Sequence, residues 1–346
     1  MKICVYGGQF GSEGKGSVAE ILIKGPTRSA GKKLAVFGEN SPNSGHTNSV
    51  GKTRNVPVSA FFADAVIMGP DSVISPECLV ADLQAILAYR AANDLTNVFQ
   101  VYIHENAALC NPSDSQMETG MVERVSSTGS GSGWARTSKF FYRDGVATIG
   151  GSDTLRDAVV KAGIGVVSIV NTNQYLSLVD GIFSENHDCV FECSQGALLD
   201  PNFGYFPYVT TRTTLARVAI ERNGLGGAVW DYVGVYRTYP IRTGGPSGPT
   251  GGQETTFEKI GVPSEQATVT KRIRRVFEFS KSDFLKSLML NRPDVVAFTH
   301  LDYLGIDPGD FNAFFGWLTL TESEEQVLSH ITWILSNTTG KGQFHE

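Results

Sequence analysis

The sequence predicts an α/β fold in which a mostly parallel central sheet carries flanking helices and long active-site loops. Short runs rich in β-forming residues recur along the chain, at 3–6, 34–37, 65–68, 98–103, 165–170, 189–193, 228–236 and 294–299. Several of these runs are almost entirely apolar, as expected of strands that are buried on both faces of a parallel sheet. Helical patterns lie between some of the runs, and this alternation is typical of parallel sheets.

Two helices are marked by their capping residues. Ser75 is expected to be an N-cap with Pro76 at the first helical position, followed by the apolar stripe Leu79, Leu83, Ile86 and Leu87. Thr321 and Glu324 form a capping box ahead of a second stripe, made of Val327, Ile331, Ile334 and Leu335. We therefore expect one helix after residue 75 and another that carries its stripe to Leu335.

The chain is expected to form a single domain over residues 1–346. No internal repeat is visible, and the glycine- and proline-rich piece 243–252 has chemistry-bearing motifs on both sides. That piece is interpreted as an active-site loop, because α/β folds carry long loops at the carboxyl ends of their strands. The 38 glycines cluster at 7–16, 129–133 and 243–252, which indicates several backbone-lined loops.

Composition argues against several classes of protein. The chain has 41% apolar and 18% charged residues, and no run of about 18 apolar residues that could span a membrane. Its net charge of −6 argues against bulk binding to nucleic acid. The five cysteines, at 4, 78, 110, 189 and 193, show no C-x-x-C spacing, so we expect free thiols in a reducing cytosol. The first apolar run is too short for a signal peptide, and a cytoplasmic location is expected, in the host cell if a phage encodes the protein.

Residues 7–16 read Gly-Gly-Gln-Phe-Gly-Ser-Glu-Gly-Lys-Gly and follow the first apolar run. A strand that ends at glycines and continues as a helix directs backbone N–H groups and the helix dipole to one place, which favours a phosphate. Lys15 supplies the cation that such loops direct at the outer phosphates of a nucleotide. Because Gly16 follows the lysine, the spacing differs from the usual G-x-x-x-x-G-K-[ST]. A nucleotide-binding switch that uses Lys15 and Asp302 as a GTPase does is one interpretation.

Five further motifs are NSGHT at 43–47, SSTGSGSG at 126–133, FECSQGALLD at 191–200, TVTKRIRR at 268–275 and THLD at 299–302. A loop histidine suits a developing oxyanion, and a run of hydroxyls and glycines suits an anion nest. Paired arginines suit a dicarboxylate, because each guanidinium can fork onto a carboxylate. Each motif alone also has a simpler interpretation, as an incidental histidine, a flexible linker or a solvated basic face.

Together with the phosphate loop, these motifs resemble in order those of the adenylosuccinate synthetase family, and the resemblance covers essentially the whole chain. It implies an adenylosuccinate synthetase-like fold, a homodimer and a Mg²⁺-dependent ligase. In that family's reaction, a nucleoside triphosphate phosphorylates the 6-oxygen of a purine monophosphate. The amine of L-aspartate then displaces the phosphate.

The resemblance also implies the site residues. The catalytic set is Ser12, Lys15, His46 and Gln195, and the purine monophosphate contacts are Ser12, Asn43, Thr128, Gln195, Thr210 and Arg143. Thr128 and Thr210 would hold the 5′-phosphate, and Arg143 would reach across the dimer interface. Aspartate would be bound by Thr268, Thr270, Arg272 and Arg274. The triphosphate donor would be bound by Gly11, Glu13, Gly14, Lys15, Gly16, Gly45, His46, Thr47, His300, Asp302 and Gly340, and Mg²⁺ by Ser12 and the Gly45 carbonyl.

The donor-base motif departs from the family pattern. His300 replaces a lysine that packs over the base, and the family's C-terminal motif is only faintly echoed at 336–341. We therefore expect ATP or dATP to serve at least as well as GTP, although the carboxylate of Asp302 still favours guanine.

Ser12 departs from the family pattern at the catalytic aspartate. The serine hydroxyl is too weakly acidic to ionise, so it cannot act as the base that removes the N1 proton. Glu13, a metal-bound water or the phosphates would accept that proton instead. A bacteriophage branch of the family carries serine or a similar small residue here and adds aspartate to dGMP, making the precursor of 2-aminoadenine. A short hydroxyl leaves room for the 2-amino group of guanine. The resemblance thus favours dGMP over IMP; an IMP enzyme with another base, and a relative that binds nucleotide without turnover, are the alternatives. Neither nucleic acid nor a membrane is expected as a partner.

Overall fold

Ten strands form the central sheet of the computed structural model, which describes residues 1–26, 28, 31–143, 147–267 and 271–345. All eight runs predicted from the sequence are strands, with small shifts at their ends. The strands are β1 (Lys2–Gly7), β2 (Leu34–Gly38), β3 (Ala65–Met68), β4 (Gln100–His104), β5 (Val167–Val170), β6 (Asp188–Gly196), β7 (Asp231–Arg237), β8 (Val295–Thr299), β9 (Thr332–Ser336) and β10 (Gly342–His345).

The sheet is almost entirely parallel, as the sequence predicts. Its order is β10-β9-β8-β7-β1-β6-β2-β3-β4-β5, and only the β9–β10 pair is antiparallel. The central strand β1 pairs with β6 on one side and β7 on the other. The phosphate loop therefore leaves β1 between the carboxyl ends of two strands that come from much later in the chain, where α/β folds bind ligands.

Helices cover both faces of the sheet. They are α1 (Lys15–Lys24), α2 (Pro76–Ala92), α3 (Asp114–Met117), α4 (Thr119–Val125), α5 (Ser132–Tyr142), α6 (Thr154–Lys161), α7 (Thr172–Ser184), α8 (Ala216–Arg222), α9 (Lys281–Asn291), α10 (Phe311–Leu318) and α11 (Glu322–Leu328). The start of α2 is as predicted, since the Ser75 side chain accepts a hydrogen bond from the Cys78 N–H and Pro76 follows it. None of the described helices is long and apolar enough to cross a membrane.

The second predicted helix is wrong in its extent. The capping box of Thr321 and Glu324 is present, but α11 ends at Leu328, and Ile334 and Leu335 belong to β9. The apolar spacing fits a helix. However, residues 332–335 are β-branched, aromatic or large apolar side chains, and burial between β8 and β10 favours the strand.

The hydrophobic core lies on both faces of the sheet. Successive residues of β1 alternate between the two faces, with Val5 in one cluster and Cys4 and Tyr6 in the other. Helices α1 and α2 pack on the first face, and α7 and α8 on the second. All five cysteines are free thiols.

Two glycines bring the motif-bearing loops into contact. A Cβ at Gly16 would collide with the Thr47 carbonyl, and a Cβ at Gly196 would collide with the backbone of Gln9 and Gly11. Only glycine permits these close approaches. The phosphate loop is thereby held against both the NSGHT segment and the end of β6.

A small antiparallel sheet covers the same edge of the molecule. Residues Ile241–Arg242 and Glu254–Thr255 flank Arg275–Phe277. The Arg242 guanidinium donates to the Tyr208 carbonyl and to the Pro249 carbonyl, at 2.8 Å each. Thr243 and Ser247, both in the piece 243–252, line a cavity together with Gln195 and Thr210.

Candidate active site

The phosphate loop is held in shape by its own charged side chains. Gly14 has the left-handed conformation (φ 89°) that starts α1 at Lys15. The Glu13 carboxylate accepts hydrogen bonds from the N–H groups of Gln9 (3.2 Å) and Gly11 (2.6 Å). Lys15 Nζ donates to Glu13 at 3.0 Å and to the Gly11 carbonyl at 3.1 Å. Since both charged side chains are buried, an arriving triphosphate would compete with Glu13 for the Lys15 ammonium.

His46 is oriented by a buried carboxylate. Its Nδ1 lies 3.4 Å from Glu192, a β6 residue that also accepts from the Ser59 N–H at 2.7 Å. Burial alone would raise the pKa of Glu192, but the imidazole of His46 and the hydrogen bonds from Ser59 together lower it. The Nε2 atom of His46 is buried and has no partner among the described residues. The ring is thus fixed through Nδ1 and has Nε2 free to meet a substrate oxygen.

Two cavities adjoin at this edge of the sheet. A cavity of about 120 Å³ is lined by Ser12, Gly45 and Arg274, and one of about 300 Å³ by Thr210 and the loop that precedes α5. Both are lined by Phe10, Asn43, Thr128, Gln195, Leu199 and Thr243. The structure therefore brings together Ser12, Asn43, Thr128, Gln195 and Thr210, which come from five separate segments.

The glycine-rich loop before α5 is shaped by Glu118. This carboxylate accepts hydrogen bonds from the N–H groups of Gly131 (3.0 Å), Gly133 (2.6 Å) and Trp134 (3.1 Å). It satisfies the N-terminus of α5, so the amides nearest the helix are not free for a ligand. The hydroxyl of Thr128, 3.1 Å from that of Ser130, remains at the lining of both cavities.

The predicted aspartate loop is only partly in the site. Arg274 lines the smaller cavity, and its guanidinium donates to the Ser12 hydroxyl. Arg272 is exposed and lines neither cavity. Thr268 and Thr270 lie outside the described residues.

A neighbouring ion pair supports this loop. Arg237, at the end of β7, pairs with Glu265 at 2.5 Å, and the Tyr303 hydroxyl donates to the same carboxylate at 2.9 Å. Burial would raise the pKa of Glu265, but the charge of Arg237 and its hydrogen bond lower it to about 2. Gln9 in turn makes two hydrogen bonds to the Arg237 backbone, so the phosphate loop and β7 are joined.

The donor-base motif follows β8. His300 has a positive φ of 62°, and its Nδ1 lies 2.8 Å from the Thr299 hydroxyl. Burial and the positive charge of Arg237 hold the pKa of His300 well below its usual value, so the ring is neutral near pH 7. It cannot replace the charge of a lysine.

Asp302 has its carboxylate occupied. Thr338 donates to it with both the backbone N–H (2.9 Å) and the hydroxyl (2.5 Å). The turn that carries Thr338 and Gly340 lies against α1, because a Cβ at Gly340 would contact the side chain of Ser17. The THLD segment and the C-terminal turn therefore lie together beside the phosphate loop.

Some predicted residues lie apart from the cavities. Arg143 is an exposed residue at the end of α5, next to the exposed side chains of Phe140, Phe141 and Tyr142. Thr47 is exposed and pairs with Lys52 in a short hairpin. Among the described residues, no group of three or more histidine, cysteine, aspartate or glutamate side chains could hold a metal ion by itself.

Sequence reasoning assigned no role to several charged residues around the site. They are Glu39, Asp71, Glu118, Glu192, Arg212, Arg237 and Glu265. Their partners are remote in sequence and share no spacing pattern, so only the folded chain reveals them. Glu192 was within a recognised motif, where its position three residues before Gln195 was the one available signal.

Comparisons with known proteins agree with the motifs. The adenylosuccinate synthetase family model matches residues 167–307. The N6-succino-2-amino-2′-deoxyadenylate synthase of Acinetobacter phage SH-Ab 15497 is 28% identical over 85% of this chain and 82% of its own. The adenylosuccinate synthetase of Methanococcus maripaludis is 29% identical over 86% of this chain and 83% of its own.

A solved structure is similar over nearly the whole chain. Cyanophage S-2L succinoaminodeoxyadenylate synthetase, bound to dGMP and dATP, has a TM-score of 0.77 and 26% identity, covering 97% of this chain and 92% of its own. The ordered motifs, the parallel sheet and these comparisons agree, and along nearly its whole length the chain is similar to proteins of the adenylosuccinate synthetase family.

Proposed function

We propose that this chain is a ligase that joins L-aspartate to C6 of dGMP, with ATP or dATP converted to its diphosphate and phosphate. The product would be N6-succino-2-amino-2′-deoxyadenylate. The observation that carries the proposal is Ser12, a small neutral residue that lines the smaller cavity at the position of the family's catalytic aspartate. Similarity to phage synthases of that product, and to an enzyme solved with dGMP and dATP, supports it.

The two adjoining cavities suit a purine monophosphate. Gln195 and Asn43 line both, so their amides can meet the polar edge of a base, and Thr128 and Thr210 offer hydroxyls to the 5′-phosphate. Ser12 leaves space beside N1 that an aspartate side chain would fill. Guanine differs from hypoxanthine by a 2-amino group at this edge, so the short side chain favours guanine.

In the first step, the purine 6-oxygen attacks the γ-phosphorus of the donor, the bond to the β,γ-bridging oxygen breaks, and the diphosphate leaves. The N1 proton is lost as the 6-oxygen becomes phosphorylated. Lys15 would shift from Glu13 to the donor phosphates, and His46 Nε2 would donate to the oxygen that gains charge. Glu192 would stabilise the imidazolium form. Since the Glu13 carboxylate still accepts hydrogen bonds from the N–H groups of Gln9 and Gly11, water or a phosphate is the better acceptor for the N1 proton.

In the second step, the aspartate nitrogen attacks C6, the C–O bond to the phosphoryl group breaks, phosphate leaves, and the amine loses a proton. Arg274 would hold a carboxylate of L-aspartate beside the reacting carbon, because its guanidinium already lies at the cavity next to Ser12. By the family resemblance, Arg272, Thr268 and Thr270 would complete the aspartate site.

The residues at the smaller cavity are compatible with Mg²⁺ bound mainly by phosphates. Ser12 and the Gly45 carbonyl supply neutral oxygens on its lining, and Mg²⁺ is commonly held by substrate phosphates with few protein ligands. When bound, Mg²⁺ would neutralise charge on the phosphates. Ser12 and the Gly45 carbonyl would hold Mg²⁺, and Gly11, Gly14 and Gly16 would bind the donor phosphates.

ATP or dATP is the proposed donor. Asp302 would read the N1 and N2 hydrogens of guanine in the family's arrangement, but Thr338 engages its carboxylate twice. His300 is neutral, so it adds no charge over the base. Both features remove interactions that would select GTP.

A homodimer is proposed on the exposed end of α5. Phe140, Phe141 and Tyr142 are each more than half exposed and adjoin Arg143. An apolar patch of this kind favours burial against a second copy. Arg143 could then reach the 5′-phosphate in the partner's larger cavity.

A substrate matrix tests the proposal. IMP, dIMP, GMP and dGMP are each combined with ATP, dATP and GTP in the presence of Mg²⁺ and L-aspartate, and the succinylated nucleotide is quantified. We expect dGMP with ATP or dATP to give the highest kcat/KM. Preference for IMP would support instead an adenylosuccinate synthetase, an activity named for a relative of similar identity. Phosphate release that ignores aspartate would indicate a switch, and binding without turnover would indicate an inactive relative.

A further inference from the structure

A buried charge cluster lies beneath the acceptor end of the site. It consists of Glu39, Asp71, Arg136, Arg212 and Arg222, and it is called here the charge cluster. Arg212 lies 2.8 Å from Glu39 and 2.8 Å from Asp71, and Arg222 lies 3.2 Å and 3.3 Å from the same two carboxylates. Arg136 reaches the Asp71 backbone carbonyl at 2.9 Å.

Arg212 is the centre of this cluster. It is buried, and besides the two carboxylates it donates to the Glu39 carbonyl at 3.1 Å and to the Ser194 hydroxyl at 2.6 Å. Its donors are therefore divided among three separate segments of chain. A planar guanidinium suits this arrangement, because its N–H groups point in fixed directions.

Two of the three segments that Arg212 joins, and the segment of Arg212 itself, carry a residue of the acceptor site. Glu39 follows β2 and precedes the loop that holds Asn43, Ser194 immediately precedes Gln195, and Arg212 itself follows Thr210. Helix α5, which begins at the Thr128 loop, joins the cluster through Arg136. The cluster thus connects the backbones that carry four predicted acceptor contacts, while Arg212 lines neither cavity.

We infer that Arg212 is a positioning residue that sets the relative placement of Asn43, Gln195 and Thr210, and so determines affinity for the acceptor nucleotide. This rests on the proposed function for the identity of the acceptor. The donor and aspartate residues, Lys15, Asp302 and Arg274, make no hydrogen bond or ion pair with Arg212. The role therefore differs from general support of the fold.

The first test is steady-state kinetics of Arg212→Lys and Ser194→Ala. Lysine keeps the charge but has one ammonium in place of a fork, so it cannot serve all three segments. We expect the KM for dGMP to rise by about tenfold or more in Arg212→Lys, as for the loss of a charge-assisted contact. The KM values for ATP and aspartate should stay near the wild-type values. Ser194→Ala should give a smaller rise of the same kind.

Matched controls separate positioning from loss of stability. Arg90→Lys alters a buried arginine that donates to the Ala63 and Asn97 carbonyls, and Ser287→Ala removes a buried hydroxyl 3.0 Å from that of Tyr236. At a matched loss of thermal stability, both control variants should leave the ratio of the KM for dGMP to the KM values for ATP and aspartate unchanged. Equal changes in all three KM values, or a wild-type KM for dGMP in Arg212→Lys, would overturn the inference. If Arg212→Lys does not fold, the hydrogen exchange of Ser194→Ala decides, because Ser194 also lines the smaller cavity and its KM for dGMP alone would not separate the two effects.

Hydrogen exchange without nucleotides makes the test independent of the activity. In Arg212→Lys, amides at 39–45, 194–196 and 209–214 should exchange faster than in the wild type, whereas α9 should be unchanged. Unchanged exchange in the three segments would overturn the inference even if dGMP is turned over. Faster exchange in Arg212→Lys, together with a wild type that does not turn over dGMP, would leave Arg212 as a positioning residue and refute the proposed acceptor.

Discussion

Replacing Ser12 with aspartate tests the chemistry of the site most directly. The Ser12 hydroxyl accepts a hydrogen bond from Arg274, the proposed ligand of L-aspartate. A carboxylate at position 12 would lie within reach of the same guanidinium and would form an ion pair with it. Ser12→Asp should therefore reduce aspartate binding, and its longer side chain should fill the space proposed for the 2-amino group of guanine.

The magnitude follows from the contact that is lost. A hydrogen bond between charged groups is worth about 1.5–3 kcal/mol, so occupation of Arg274 should raise the KM for aspartate roughly ten- to hundredfold. The ratio of kcat/KM for dGMP to that for IMP should fall as well. The ratio is the proper measure, because a new carboxylate also disturbs the phosphates and Mg²⁺ and so changes the absolute rates.

The assay measures phosphate release and succinylated product with dGMP and with IMP over a range of aspartate concentrations. Ser12→Asn is the matched control, since it has the shape of aspartate without its charge. Asparagine should lower the preference for dGMP but leave the KM for aspartate closer to the wild-type value. An Asp variant that keeps its preference for dGMP would refute the steric account, and an unchanged KM for aspartate would remove Arg274 from the aspartate site.

Three further predictions concern residues that the structure assigns to neighbours of the site. Glu192→Gln should lower kcat by about 10²-fold or more with little change in the nucleotide KM values, because an amide does not stabilise the imidazolium of His46; an unchanged kcat would contradict this. Thr338→Ala should remove the hydroxyl donor from Asp302, leaving only the backbone N–H bond, and so raise kcat/KM for GTP relative to ATP; a constant ratio would count against the donor proposal. Glu265 has a pKa lowered to about 2, so its stabilising contribution is complete above its ordinary pKa of 4.5 and is lost as the pH falls toward 2. In denaturant unfolding, Glu265→Gln should make the free energy of unfolding less dependent on pH in that interval, and a slope equal to the wild type would contradict the assignment.

Local patterns were sufficient wherever a single segment determines the outcome. The apolar runs predicted eight strands because residues buried on both faces of a sheet leave a continuous signal in the sequence. The start of α2 was predictable from Ser75 and Pro76, since a cap requires only its own turn. The extent of α11 was not, because Ile334 and Leu335 fit a helical stripe and only pairing with β8 and β10 makes them a strand.

The candidate site shows the same division. Ser12, Asn43, Thr128, Gln195 and Thr210 were named from motifs, and the carboxyl ends of neighbouring parallel strands bring them to one pair of cavities. The motifs did not indicate how the charged side chains of the site pair with other groups of the chain. Lys15 is bound to Glu13, which no spacing rule specifies.

These pairings bear directly on how the site would work. In each, a charged group expected to meet a ligand is already satisfied by a group of the chain: Lys15 by Glu13, Asp302 by Thr338, and Arg274 by the Ser12 hydroxyl. A ligand gains only the difference between its own contact and the one it displaces. A dianionic phosphate competes well with Glu13, and a carboxylate competes well with a neutral serine. A guanine edge gains little over the two hydrogen bonds from Thr338. Displacing the internal partners should therefore cost phosphates and L-aspartate less of their binding free energy than it costs a guanine donor, and a change of partner should alter specificity without altering the motif.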